Sequence, residues 1–302
     1  MTSWNKALDT AGIRDLRLRE DYSQQRALVA RFRRTAYLAA RLLLPAPLLP
    51  HVIAATAFMH HSDNLLDEGP RPERAARYAA WEEQVRDGLA TGTSEDPVIR
   101  PMLHTMAAHP QLRVHLSDYL ATATADLDFA GFTSEADYQR YVDEYSLPAF
   151  MLVAGLLGPD DDQADYRTAC RRYIDASQRL DFVNDLAEDL QTGRFTVPED
   201  ALKRHSVTRA DLENSRDLPG TRELLEYLLR QARRTLDESR ALVGLAPPAT
   251  RPLIRALIAL DELTIDAAST KGIAVLTGSA SPSTPAAVRV LIREYRQARR
   301  LR

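Results

Sequence analysis

Apolar residues recur every three or four positions along almost the whole chain, with the densest runs in "HVIAATAFMHHSDNLL" (His51–Leu66) and "YVDEYSLPAFMLVAGLLG" (Tyr141–Gly158). That period belongs to helices. It predicts helices over 22–44, 49–68, 71–91, 97–108, 110–128, 134–157, 163–191, 207–215, 219–242, 247–271 and 284–300. Pro45, Gly69-Pro70, Gly92, Gly131, Gly158-Pro159, Gly193 and Pro247-Pro248 punctuate them. No stretch shows the sustained period-two alternation and β-branched enrichment of a strand. There is no repeat, low-complexity linker or composition break, and "TGSASPSTP" (Thr277–Pro285) reads as a loop before a final helix. Residues 1–302 are therefore expected to form one all-α domain.

Composition narrows the class. With 302 residues, 45% hydrophobic and 27% charged, the chain can bury a sizeable core. A net charge of −3 gives no footprint for nucleic acid. Cys170 has no second cysteine to pair with, which fits a reducing cytoplasm. The polar start, "MTSWNKALDTAGIRD", carries no signal-peptide core. The most apolar stretch, "AYLAARLLLPAPLLPHVIAATAFM", is broken by Arg41, Pro45, Pro47, Pro50 and His51, so it suits a pair of core helices rather than a membrane span. Nothing here fixes an oligomeric state.

Two acidic clusters change the picture. "HHSDNLLDEGP" (His60–Pro70) places Asp63, Asp67 and Glu68 at an expected helix end. Like charges at i, i+4 repel by about 0.2–0.5 kcal/mol, and acids in a last turn oppose the helix dipole at a further cost of about 0.3–1 kcal/mol. "RLDFVNDLAEDLQTGRFTVPED" (Arg179–Asp200) puts Asp181, Asp185 and Asp189 at i, i+4, i+8 with Glu188 beside them, again before a stop at Gly193. One such pair would read as a solvated face. Two, about 120 residues apart, suggest carboxylates on facing walls of a bundle, where Mg²⁺ shared with a diphosphate would offset the repulsion.

The ordered motifs resemble the squalene/phytoene synthase branch of the all-α trans-isoprenoid synthases, over about residues 20–275. "RTAYLAARLLLP" (Arg34–Pro45) is similar to the family's first motif helix, "FMHHSDNLLDE" to its first Asp-rich motif, and "DFVNDLAEDLQTGRFTVPED" to its second. The resemblance implies a single-domain helical bundle with a central cavity and a Mg²⁺-dependent prenyltransferase of secondary metabolism. It places Asp63, Asp67, Asp185 and Asp189 at metal positions, with Asp181 and Glu188 as further ligands. Arg34, Thr35, Asn184 and Arg194 fall to the diphosphate. For the mechanism itself, Phe58, Phe129, Phe132, Tyr141, Tyr145 and Phe150 are candidate walls around the allylic cation, with Ala154 in the substrate pocket. His60, His61 or the departing diphosphate would take the proton, and Tyr141 is a further catalytic candidate.

The chain also departs from the family pattern. His60 stands where the head-to-head synthases carry arginine, Asn64 replaces the second of a paired aspartate, and Asn184 replaces another arginine. Asp181 fills an amide position, and Thr196 a tyrosine position. Two prenyl diphosphates side by side need dense arginine contacts, so these losses favour one diphosphate donor and a neutral, aromatic, carbazole-like acceptor. Head-to-head condensation of two prenyl diphosphates stays the alternative, with Arg34, Arg171, Arg172 and Arg179 as replacement arginines. A terpene cyclase and a non-catalytic helical partner are further alternatives. "PDDDQAD" (Pro159–Asp165) reads as a solvated acidic loop. "REYRQARRLR" (Arg293–Arg302) reads as an exposed helix end, with peripheral membrane contact or closure over a phosphate as lesser readings.

Overall fold

The computed structural model describes residues 3–32, 34–67, 69–159 and 164–300, and among them there is no strand. The first helices are α1 (Trp4–Thr10), α2 (Leu16–Phe32), α3 (Arg34–Leu43), α4 (Leu48–Asp67), α5 (Arg71–Thr91), α6 (Ile99–Ala108) and α7 (Leu112–Thr122). A 3₁₀ stretch, Ala123–Asp128, leads to α8 (Glu135–Tyr141), which passes through a π-helical turn, Val142–Ser146, into α9 (Leu147–Leu157). Then come α10 (Ala164–Asn184), α11 (Leu186–Thr192), α12 (Glu199–Arg204), α13 (Arg209–Glu213), α14 (Pro219–Glu238), α15 (Leu242–Leu245), α16 (Arg251–Lys271) and α17 (Thr284–Arg300).

Helix α4 is the axis. Leu49, Val52, Ile53, Ala54, Ala55, Ala57, Phe58 and Leu66 are all buried, which leaves little polar face and marks a helix surrounded by others. It packs on α2, α5, α6 and α9. Helix α9, equally apolar, lies between α4, α7 and α10, while α10 runs along α14, and α14 leads through α16 to α17. The α7–α9 contact is close because Gly155 has no Cβ: one added there would lie 2.5 Å from His115 Cδ2. One apolar cluster extends from Ala7 to Val290, beside two smaller ones around Leu186, Leu212 and Leu224 and around Leu8, Ile13 and Tyr22. No helix among the described residues is long and apolar enough to cross a membrane.

The all-α expectation is met, but several boundaries differ. The run predicted over 22–44 is two helices, α2 and α3. The 110–128 prediction tightens into 3₁₀ geometry at Ala123, and the 134–157 prediction contains the π turn. The helix expected over 163–191 breaks at Asp185, whose ψ of 2° leaves the helical region. Helices α1 and α12 have seven and six residues, too few for a period to register. Glu68 and the acidic loop residues 160–163 lie outside the described residues.

A histidine cluster joins α4 to α6. His51 Nδ1 lies 3.0 Å from Thr105 Oγ1, and its ring is 4.7 Å from His109 and 5.8 Å from His104. Burial, then the neighbouring His109 and His104, pushes His51 down to about 3. The folded pKa is depressed, so the unfolded chain takes up a proton below its ordinary pKa of about 6.5 that the folded chain refuses. Stability is therefore full above that value and falls beneath it, by about 2 kcal/mol at pH 5 from this residue. Urea midpoints at pH 8 and pH 5 should show the loss in the parent and a smaller loss in His51→Gln. Identical midpoints at the two pH values would contradict it.

Candidate active site

Four local devices bring the site together. Helix α4 ends on Asp67, with Asp63 one turn earlier. The 3₁₀ stretch turns Asp126 inward, where it is 2% exposed. The π turn carries Tyr145 on to face α4 just after Tyr141, and such turns widen the helix where function requires it. Gly193, at φ 79°, caps α11 in a conformation that suits glycine and returns the chain toward α4.

Arg194 follows that glycine and ties the parts together. Its Nη1 donates to Asp67 Oδ1 at 3.0 Å and its Nη2 to Asp126 Oδ1 at 2.9 Å. The guanidinium lies 4.7 Å from the Phe129 ring centroid, and Nη2 is 3.3 Å from the Tyr141 hydroxyl. Tyr141 donates to Asp126 Oδ1 at 2.8 Å, Tyr145 donates to Asp63, and Thr196 Oγ1 donates to Asp189 Oδ2 at 3.4 Å. The first acidic motif, the second and the arginine between them thus share one charge network.

That network has more negative charge than Arg194 offsets. Burial, then Asp63 and Asp126, pushes the Asp67 carboxyl well above the ordinary carboxylate range, and Arg194 pulls it only partly back. With 41% of its side chain exposed, Asp67 is also screened by water, so the direction carries the meaning. Burial, with Asp185 and Glu188, lifts Asp189 to about 6 against the pull of Arg194 and Thr196. Among the described residues, no three His, Cys, Asp or Glu side chains are gathered closely enough to hold a metal alone. The surplus carboxylate charge still fits Mg²⁺, which takes hard oxygen ligands and shares its shell with a substrate's phosphates.

The break at Asp185 revises the electrostatics of the second motif. Asp181 is in the last turn of α10, whereas Glu188 and Asp189 fall in the first turn of α11, where a dipole favours acids. Only part of this cluster therefore sits at a carboxyl end. Burial, then Asp261 of α16, which accepts from the Tyr173 hydroxyl at 2.9 Å, raises the Tyr173 pKa, and Asp181 adds to the rise. Asn184, expected at a diphosphate, instead accepts the Ala280 N–H at 2.6 Å, pinning the loop before α17. Lys271 holds the same loop through Gly278 O at 2.8 Å and Ser279 O at 2.7 Å.

Other expected residues are placed as follows. His60 is buried one turn before Asp63 and stacks against Phe32 with centroids 3.4 Å apart. His61 turns instead to Trp81 of α5 at 4.4 Å, away from the acidic walls, so it does not join the site as a base. Phe58 is fully buried against Trp81 and belongs to the core rather than to a pocket wall. Phe129, Phe132, Tyr141 and Phe182 form an aromatic group beside Arg194. Phe150 packs on Tyr173, and the Ala154 carbonyl accepts from Tyr166 deeper in the bundle. Arg34 and Thr35 are exposed at the start of α3. Asp126 was not foreseen. Its one signal is an acid between Ala123 and Leu127, both buried, which spacing rules do not score.

Comparison with known proteins bears on the family and the fold. The family model described as squalene/phytoene synthase matches residues 29–287. The bifunctional protein CrtB/UppS of Streptomyces coelicolor is 25% identical over 229 residues, which cover 76% of this chain but 40% of that protein. The 15-cis-phytoene synthase of Synechocystis is 23% identical over 253 residues, covering 79% of this chain and 74% of that enzyme. In three dimensions, a dehydrosqualene synthase determined in complex with a ligand has the same fold. Its TM-score is 0.80 at 20% identity, over 94% of this chain and 98% of that one.

Removing the shared guanidinium should be costly. Arg194→Gln leaves Asp126 buried without its cation, and we expect a loss of about 3 kcal/mol in unfolding free energy. Adding Asp126→Asn should recover at least about 1 kcal/mol, a coupling that a double-mutant cycle in urea measures. Additive effects would show that the two side chains do not depend on each other.

Proposed function

The chain belongs to the squalene/phytoene synthase family, and from that premise we propose that it ionises an allylic prenyl diphosphate and couples the carbon chain head to head with a second one. The observation that carries the reading is Arg194. It joins Asp67 to Asp126 and acts on Asp189, so both acidic motifs face one position. The relatives' names, phytoene synthase and dehydrosqualene synthase, support condensation of two prenyl diphosphates.

The residues divide the work. Asp63 and Asp67 on one wall, with Asp185 and Asp189 on the other, would hold Mg²⁺. Once bound, the metal supplies positive charge to the departing diphosphate. Arg194 offers charge-assisted donors to the same oxygens. Tyr145 orients Asp63 and Thr196 orients Asp189 through their hydroxyls. Ionisation breaks the allylic C–O bond and leaves its electron pair with the diphosphate. Phe129, Phe132, Tyr141 and Phe182 shield the cation from water, each ring contributing about 0.5–2 kcal/mol. An alkene or aromatic carbon then forms the new C–C bond and loses a proton. In the head-to-head case the second allylic C–O bond breaks in the same way, its electron pair leaves with the second diphosphate, and a second proton is lost to give the hydrocarbon. His60 and the diphosphate are candidate proton acceptors, whereas Tyr141 has its hydroxyl proton directed to Asp126.

A second reading, transfer to a neutral aromatic acceptor, rests on the arginines. Arg179 is bound to Asp175 at 2.8 Å and to Glu135, and Arg171 to Asp143 at 2.6 Å and Gln139 at 2.9 Å. Neither is spare to replace the guanidinium missing at His60 or Asn184, and those two side chains are themselves occupied by Phe32 and Ala280.

Product analysis with Mg²⁺ and prenyl diphosphates of increasing length, with and without aromatic acceptors, separates the readings. A condensed hydrocarbon from prenyl diphosphate alone supports the first, and a prenylated aromatic supports the second. A cyclised single chain would defeat both. Asp67→Asn and Asp189→Asn should each lower turnover about a hundredfold or more. For His60→Arg/Asn184→Arg, the first reading expects more condensation. The second expects the loss of aromatic transfer, because a guanidinium enters the acceptor's space and frees the Ala280 loop.

A further inference from the structure

The outward face of α17 differs from the rest of the surface. Val290, Glu294 and Ala298 turn inward. Outward, Val288 and Ile292 are 44% and 46% exposed, among Arg289, Arg293, Arg296, Arg299 and Arg300. The one acid of the helix, Glu294, is buried and accepts from Arg255 at 2.7 Å and Arg293 at 2.9 Å. Among the described residues, Arg289, Arg296, Arg299 and Arg300 have no carboxylate at ion-pair distance. On α14, by contrast, Arg222 holds Asp217 at 2.6 Å and Arg230 holds Glu226 at 3.3 Å. Helix α3 packs beside α17 and repeats the pattern: Arg34, Leu38 and Arg41 lie on one stripe, again with no carboxylate partner among the described residues.

We propose that α3 and α17 together form a docking face for an anionic lipid surface. The chain carries a net charge of −3, so this unpaired positive charge is local rather than a general property. Arginines interleaved with exposed aliphatic side chains match an interface that presents anionic headgroups over acyl chains. A nucleic-acid backbone would use the arginines but give Val288, Leu38 and Ile292 nothing to bury against. The face is linked to the candidate site through the chain: Phe32, at the end of α2 and two residues before α3 begins, stacks on His60 of α4. A prenyl substrate that partitions into lipid would then arrive beside the acidic walls. Only this consequence rests on the proposed function; the docking itself is measured without substrate.

Flotation of the full chain tests it, using vesicles of phosphatidylcholine alone and of equal parts phosphatidylcholine and phosphatidylglycerol. Binding is expected only to the anionic vesicles, and added salt should weaken it. Arg289→Glu/Arg296→Glu should reduce the affinity about tenfold or more, and Val288→Ser/Ile292→Ser should also reduce it. Arg222→Glu/Arg230→Glu on α14 makes the same change in net charge and should leave binding within about twofold. Far-UV circular dichroism checks that each variant keeps its helices. Equal losses in the two charge-reversed variants, or no binding to anionic vesicles, would overturn the proposal. Without α17-dependent vesicle binding, two further results would also do so. Lipid-free dimerisation lost in Arg289→Glu/Arg296→Glu would assign the face to a second copy, and duplex DNA binding lost in that variant would assign it to nucleic acid.

Discussion

One guanidinium links three segments that lie far apart in the sequence. Arg194 lies between Asp67, at the end of α4, and Asp126, in the 3₁₀ stretch after α7, and itself follows the second acidic motif. A buried ion pair is not cheap, because desolvating both partners offsets most of their attraction. What it supplies is position. With Asp126 almost fully buried and Arg194 hydrogen-bonded to it, the segment after α11 cannot slide along α4 without stranding a charge. The same fixed arginine only partly offsets the raised pKa values of Asp67 and Asp189. Under the proposed function, a site organised and yet unbalanced in this way would suit a metal-bound diphosphate.

The helical fold and the two acidic motifs were legible because they are local. Periodicity spans ten or more residues, and Asp63/Asp67 and Asp185/Asp189 each repeat at four. What escaped was non-local or sub-helical. Asp126 enters the site only because a helix tightens to 3₁₀ over six residues. The break at Asp185 reverses the sense of the dipole for Glu188 and Asp189, although the sequence pattern runs through it unbroken. His60 and His61 were equivalent as letters, but one helical residue apart is a rotation of about 100°. That rotation sends His60 toward Phe32 and His61 toward Trp81.

The positions without arginine matter because of what occupies their place. A missing guanidinium can leave a void, recruit a neighbour or be replaced by an internal contact, and here the last holds. Phe32 stacks on His60, Ala280 hydrogen-bonds Asn184, and the nearby Arg171 and Arg179 are bound to carboxylates of their own. Two trianionic groups a few ångströms apart repel strongly in a site shielded from bulk water. Condensation of two diphosphates would therefore depend heavily on metal charge, whereas a neutral acceptor would not. This physical difference, more than any count of motifs, separates the two proposed reactions.

The internal contacts also couple distant parts of the molecule. The loop leading into α17 is fastened to the second acidic motif by Asn184 and to the end of α16 by Lys271. On the other side, α17 packs against α3, and Phe32 at the end of α2 stacks on His60. The arginine-rich face is thus anchored to the site at two points, one on each acidic wall. A surface fastened this way keeps its orientation relative to Asp63 and Asp185. A lipid bilayer meeting it would present the acidic walls at a fixed angle and depth, so the geometry of substrate entry would be set by the same contacts that replaced the arginines.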